Sequence, residues 1–112
     1  MKSLDKFPNA IACPGGFFEI TVEDLKEVGP EVRQIDVREA GELVGNMGLL
    51  PNAEHVPMGQ IPAASEAWDK DEALAIICRS GGRSARVALW LQQEGFTNVV
   101  SLRGGMIDWN GL

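Results

Sequence analysis

The residues best suited to chemistry are Cys78-Arg79-Ser80-Gly81-Gly82-Arg83-Ser84. Before them, Leu74-Ala75-Ile76-Ile77 is a short continuous apolar run, as a central parallel strand buried on both faces requires. After them, Ala85 to Glu94 is rich in helix formers, and Gly95 reads as a left-handed stop beyond which Phe96 packs back on Leu91. A cysteine between a buried strand and a helix N-terminus lies where an open α/β sheet places its ligands. Gly81 and Gly82 let the backbone curl so that successive N–H groups converge on an anion, reinforced by the positive end of the helix. Together with Arg79 and Arg83, these dipoles are expected to lower the Cys78 thiol from about 8.5 to about 3.5–7.5. One cavity then offers a nucleophilic sulfur, Cys78, and an oxyanion site drawn from Arg79, Ser80, Gly81, Gly82, Arg83 and Ser84.

Two further motifs accompany the loop: Ile35-Asp36-Val37-Arg38-Glu39 upstream and Leu102-Arg103-Gly104-Gly105-Met106-Ile107-Asp108-Trp109 downstream. In this order the three resemble the single-domain rhodaneses, the thiosulfate sulfurtransferase family, over roughly residues 17–109. The resemblance implies a three-layer α/β domain, with a central, mostly parallel five-stranded sheet and helices on both faces. It implies that Cys78 takes a sulfane sulfur from a small anionic donor as a persulfide and passes it to cyanide or a thiol. No metal and no organic cofactor enter this chemistry. By the same resemblance Asp36 and Arg38 support the loops around the site rather than react. Family members usually carry Gly-His-Ile-Pro-Gly-Ala where this chain has Gly48-Leu49-Leu50-Pro51-Asn52-Ala53, so Leu49 replaces a histidine and Asn52 a glycine.

A chain of 112 residues is read as one domain, with residues 1–16 an N-terminal arm and turn and the core at about 17–109. Its net charge of −6 argues against nucleic-acid or anionic-membrane binding through bulk electrostatics, which makes the two arginines of the Cys78 loop a local exception. Two cysteines far apart, one in a reactive loop, suit a reducing compartment, and the N-terminus lacks a signal-peptide core, so the expected location is the cytoplasm.

The elements that must position these groups follow in order. Phe17 to Ile20 reads as a first strand, and Thr21 with Asp24 opens a helix that runs to Val28 and ends at Gly29-Pro30. Val32 to Val37 is a buried strand that delivers Asp36 and Arg38 to the edge where Cys78 emerges. A short helix starts over Ala40–Leu43, Glu54 to Pro57 is a brief strand, and Gln60 to Asp69 a helix with Pro62 in its first turn and Trp68 turned inward. Asn98 to Leu102 is the last strand. Arg103 to Met106 reads as a turn whose glycines let it approach the cysteine loop closely. Cys13 reads as a turn residue, Trp109 as a core or lid aromatic, and His55, the sole histidine, as structural rather than as a Cys-His partner.

One histidine and two cysteines without a C-x-x-C spacing cannot build an ordinary zinc site. The rival chemistry is phosphoryl transfer, since cysteine phosphatases also hold a thiolate in an anion nest. Their signature has five residues between cysteine and arginine, whereas Cys78 and Arg83 enclose four, a ring sized for a terminal sulfur. A second alternative is a persulfide carrier or regulatory module that exchanges sulfur with a relay protein. Arg83 reads as the structural partner of a carboxylate such as Asp36 or Glu39, ahead of a substrate ligand, while Arg79 is free to meet the anion.

Overall fold

The computed structural model describes residues 4–112. Six strands form one sheet: β1 (Ile11–Ala12), β2 (Phe18–Ile20), β3 (Arg33–Asp36), β4 (Ala53–His55), β5 (Leu74–Ile77) and β6 (Val99–Leu102), in the order β1-β2-β6-β5-β3-β4. Every pairing is parallel except β1 with β2. The expected α/β architecture is present with one more strand than the five anticipated. The addition is β1, an edge strand of two residues, too short to carry a hydrophobic alternation of its own.

Helices cover both faces because side chains alternate along each strand. Ala75 and Ile77 of β5, with Val100 and Leu102 of β6, pack in one cluster with Val22 and Leu25 of α1 (Val22–Val28) and Met106 of α5 (Gly105–Trp109). Leu74, Ile76 and Cys78 face the other way, clustered with Ile61 of α3 (Ile61–Ser65) and with Val87, Ala88 and Leu91 of α4 (Gly82–Gln93). Each fully buried aliphatic side chain here contributes about 1.5–3 kcal/mol, which ties α4 and α5 firmly to the strand that carries the cysteine. Phe7, 2% exposed, also belongs to the first cluster. The segment read as an arm therefore supplies both β1 and a core aromatic, because an exposed phenylalanine ring gains more by burial than its polar neighbours lose. Residues 1–3 of that segment lie outside the described residues.

Local signals explain most boundaries. Thr21 caps α1 by accepting the Asp24 N–H at 3.2 Å. A 3₁₀ turn, Gly29–Glu31, then carries the chain through Pro30 into β3. In α2 (Ala40–Leu43) Glu39 and Glu42 form a reciprocal capping box. Past α4, Gly95 is left-handed (φ 100°), and the Phe96 and Gly95 N–H groups reach the Leu91 and Gln92 carbonyls at 3.0 and 3.1 Å. These two bonds make a complete Schellman stop.

Three elements differ from expectation. Helix α4 begins at Gly82, not Ala85, since left-handed Gly81 turns the chain straight from the loop into the helix. The helix expected over Gln60 to Asp69 is a 3₁₀ turn, Met58–Gln60, followed by the short α3. Only Ile61 and Ser65 of α3 are buried, so little apolar face exists to extend it. Trp68 follows it, half-buried and edge-on to Phe96 with ring centroids 6.4 Å apart. The turn expected over Arg103 to Met106 passes directly into α5. Among the described residues no helix is long and apolar enough to cross a membrane.

Candidate active site

Strand register brings the sequence motifs together. Asp36 pairs with Ile77 and Ile76 with Ser101, so the segments following β3, β5 and β6 leave the sheet along one edge. Cys78 follows β5 there, 1% exposed.

The cradle around its sulfur is built by α5. The N–H groups of Met106 and Ile107 hold the carbonyls of Cys78 and Arg79, each at 2.9 Å. In a trans peptide C=O and N–H point opposite ways, so fixing these two carbonyls toward α5 turns the Arg79 and Ser80 N–H groups toward the other side. This approach requires glycine at 105, where a Cβ would collide with the backbone of Cys78 and Arg79. Of the loop glycines, Gly81 has the positive φ, 107°, and packs against the Gly104 backbone. Gly82 takes ordinary helical geometry with open space at its Cβ position, so the curl expected of both glycines is made by Gly81.

Gly81 donates its N–H to Cys78 Sγ at 3.0 Å, and Ser84 Oγ lies 3.3 Å from the same sulfur. The thiol pKa lies below its ordinary value. Burial is the largest single influence and pushes it up; the Ser84 hydroxyl and the N–H groups of Ser84, Gly81 and Ser80 together outweigh burial. Neutral donors therefore do most to lower the thiol, and the arginines named beside the loop dipoles do less.

The remaining loop residues divide sharply. Arg79 and Ser80 are exposed, and among the described residues the Arg79 side chain makes no hydrogen bond or ion pair. A pocket of about 210 Å³ opens beside it, lined by Arg38, Glu42, Gly45, Asn46, Met47 and Arg79. Ser84 has no exposed surface, and its hydroxyl lies against the Cys78 sulfur, out of contact with solvent. The Arg83 guanidinium is held by both oxygens of Glu42, at 2.7 and 2.8 Å. Its carboxylate partner is therefore Glu42, not the expected Asp36 or Glu39. Arg83 beside it holds the Glu42 carboxyl down to about 2.

Asp36 is unavailable to Arg83 because Arg38 occupies it. Arg38 Nη2 lies 2.8 Å from Asp36 Oδ2, and the Arg38 N–H reaches Oδ1 at 3.0 Å. The two residues are 1% and 0% exposed. Arg38 Nη2 also donates to the Gly48 carbonyl at 2.6 Å, tying the loop that precedes β4 to the end of β3. His55 Nε2 is 2.7 Å from the Arg38 carbonyl, so its ring nitrogen is spent on backbone. Cys13 is half-buried on the β1 edge beside Glu19 and Arg103, and burial, aided by Glu19, pushes its thiol up.

Sequence reasoning missed Ser101, Glu42 and the N–H groups of α5. Ser101 had a signal: it is the one polar residue in the buried run Val99–Leu102, and its Oγ lies 2.7 Å from Ser84 Oγ. Glu42 had none, since its link to Arg83 spans 41 residues.

Fold and site together define an α/β domain that holds a buried cysteine, its thiol pKa lowered, in a glycine-containing loop between a central strand and a helix. Residues 21–112 match the family described as the rhodanese-like domain, and the chain belongs to that family. It is 43% identical over 96 residues to a Bacillus subtilis protein named "Putative sulfurtransferase YtwF", covering 83% of this chain and 90% of that protein. An Allochromatium vinosum sulfurtransferase is 38% identical, with 70% of this chain and 72% of the relative covered. The crystal structure of a rhodanese-like domain protein from Staphylococcus aureus superposes with a TM-score of 0.73 at 37% identity, over 81% of this chain and 89% of the other.

Proposed function

We propose that this protein is a rhodanese-type sulfurtransferase with Cys78 as its nucleophile, using thiosulfate or another small anionic sulfur donor. The observation that carries the reading is the Cys78 sulfur set in a ring of donors, with the Gly81 N–H at 3.0 Å and the Ser84 hydroxyl at 3.3 Å. The thiolate attacks the outer sulfur of thiosulfate. The new Cys78 S–S bond forms as the sulfur–sulfur bond of thiosulfate breaks, and the electron pair leaves with sulfite. Arg79 holds the sulfonate, and the loop N–H groups solvate the outer sulfur of the persulfide. Cyanide or a thiolate then attacks that outer sulfur, giving thiocyanate or a new persulfide and restoring the Cys78 thiolate. No external oxidant or reductant is needed.

Arg83 serves as a strut in this scheme, spending its charge on Glu42, while Asp36 and Arg38 brace the neighbouring loops as a buried pair. The domain acts as one unit, and a reducing compartment such as the cytoplasm keeps Cys13 and Cys78 as free thiols. Intact-protein mass spectrometry after thiosulfate treatment tests the reading. One sulfur should be gained by the wild type and none by Cys78→Ser, and thiocyanate formation should vanish in the same variant. Turnover that survives in Cys78→Ser and is lost in Cys13→Ser would refute it. Loading without catalytic turnover to any small acceptor would instead favour a persulfide carrier.

A further inference from the structure

Ser101 sits in β6 on the α4 side with no exposed surface. Such a hydroxyl is costly unless bonded, and its one side-chain hydrogen bond among the described residues is to Ser84 Oγ at 2.7 Å. Ser84 Oγ in turn lies 3.3 Å from Cys78 Sγ and 3.2 Å from the Gly81 carbonyl. A serine hydroxyl has one proton and two acceptor sites. If Ser84 gave its proton to Ser101, the Ser101 proton would be buried with no acceptor. Ser101 is therefore the donor, and the Ser84 proton is left for the Gly81 carbonyl or the sulfur. The Gly81 carbonyl already accepts the Ala85 N–H at 3.1 Å. When Cys78 ionises, Ser84 can turn its proton to the thiolate without orphaning any group.

We propose that Ser101 is a positioning residue for Cys78, fixing Ser84 as a donor toward the sulfur. The proposal deepens the sulfurtransferase reading but is tested without sulfur transfer. The rate of Cys78 alkylation by iodoacetamide is followed against pH in the wild type, Ser101→Ala, Ser101→Thr, Ser84→Ala and the double variant. Ser101→Ala should move the midpoint up by about 0.5–1 pH unit. Ser101→Thr, which keeps the hydroxyl and suits a strand, should restore it. The double variant should match Ser84→Ala, because Ser101 acts only through Ser84. An unmoved midpoint in Ser101→Ala with its near-ultraviolet circular dichroism intact, or additive shifts in the double variant, would overturn the proposal. A loop that alkylates as described yet never gains sulfur would defeat the sulfurtransferase reading and leave this one standing.

A separate observation concerns the surface beside the loop. Of the six arginines in the sequence, Arg33, Arg38, Arg83 and Arg103 are paired with carboxylates. Arg79 and Arg86 make no such pair among the described residues, and in a chain of net charge −6 both lie at the Cys78 loop or within one turn beyond Arg83. Arg86 borders a cleft of about 250 Å³ between α3 and α4, whose other lining residues are Met58, Ile61, Pro62, Val87 and Trp90. Tryptophan, methionine and arginine are the side chains that protein interfaces favour. We infer that this cleft docks a partner protein presenting an apolar side chain beside a carboxylate, on the segment whose thiol exchanges sulfur with Cys78.

The probes are two blocked peptides, Glu-Leu-Glu-Gly-Cys and Lys-Leu-Lys-Gly-Cys, offered to the persulfide form. The acidic peptide should take sulfur faster, and Arg86→Glu should reduce its advantage at least roughly threefold while transfer to dithiothreitol is unchanged. With serine replacing its cysteine, the acidic peptide should still shift the Trp90 indole resonance, which reads docking alone and so separates it from failure of the sulfur chemistry. No Trp90 shift, an advantage untouched by Arg86→Glu, or a sedimenting dimer that buries Trp90 against a second copy would overturn the inference.

Discussion

Replacing Glu42 by glutamine tests whether Arg83 is a strut. Both Arg83 nitrogens reach Glu42, at 2.7 and 2.8 Å, and the Glu39 N–H donates to the same carboxylate at 2.8 Å. The Glu42 carboxyl falls from 4.5 to about 2 on folding, chiefly through Arg83. At about 1.4 kcal/mol per pH unit this caps its contribution near 3 kcal/mol. The paired side chains are 30% and 29% exposed, and solvent screening reduces the figure to about 1–2 kcal/mol. A folded-state pKa below the unfolded value stabilises above the unfolded one, and the benefit is lost as pH falls through the folded one. Glu42→Gln should therefore cost about 1–2 kcal/mol at pH 7. Its deficit against the wild type should shrink from about pH 5 and be nearly gone near pH 2. Urea unfolding followed by circular dichroism at a series of pH values measures this directly. A deficit that grows on acidification, or none at pH 7, would refute the strut. The freed guanidinium should also lower the Michaelis constant for thiosulfate, and an unchanged constant would mean that it finds another carboxylate.

Gly105→Ala should destabilise the protein by about 2 kcal/mol or more and raise the pH midpoint of Cys78 alkylation, because the added Cβ forces α5 away from the Cys78 and Arg79 carbonyls; chemical denaturation and alkylation read the two effects. Arg79→Ala should leave stability unchanged and raise the Michaelis constant for thiosulfate about tenfold, since an exposed guanidinium loses one charge-assisted contact. Inserting a glycine between Gly81 and Gly82 should abolish most sulfur transfer by displacing the 3.0 Å contact from the Gly81 N–H to the sulfur; full transfer in that variant would show that loop length does not select the chemistry.

Much of the site was legible in the residues themselves. The apolar run at 74–77 is a buried strand because nothing polar interrupts it, and the glycine-rich turn behind it converges N–H groups because left-handed Gly81 permits that geometry. These are local facts, set by side-chain volume, hydropathy and φ. Partner choice was not local. Asp36 and Glu42 are both carboxylates near arginines in sequence, and only the packing of α2 against the start of α4 decided that Glu42 holds Arg83 while Arg38 holds Asp36. Phe7 joined the core through contacts with residues distant in sequence, and β1 joined the sheet by pairing back on β2 across the Cys13–Gly16 turn, a pairing that a strand of two residues is too short to announce. The strand register likewise placed Ser101 behind Ser84 and set α5 against the carbonyls of the cysteine loop. Residue types thus determined that a cysteine would sit in a glycine turn between a buried strand and a helix, and the tertiary structure decided which groups brace it, since hydrogen bonds between segments depend on distances fixed only when the sheet is assembled.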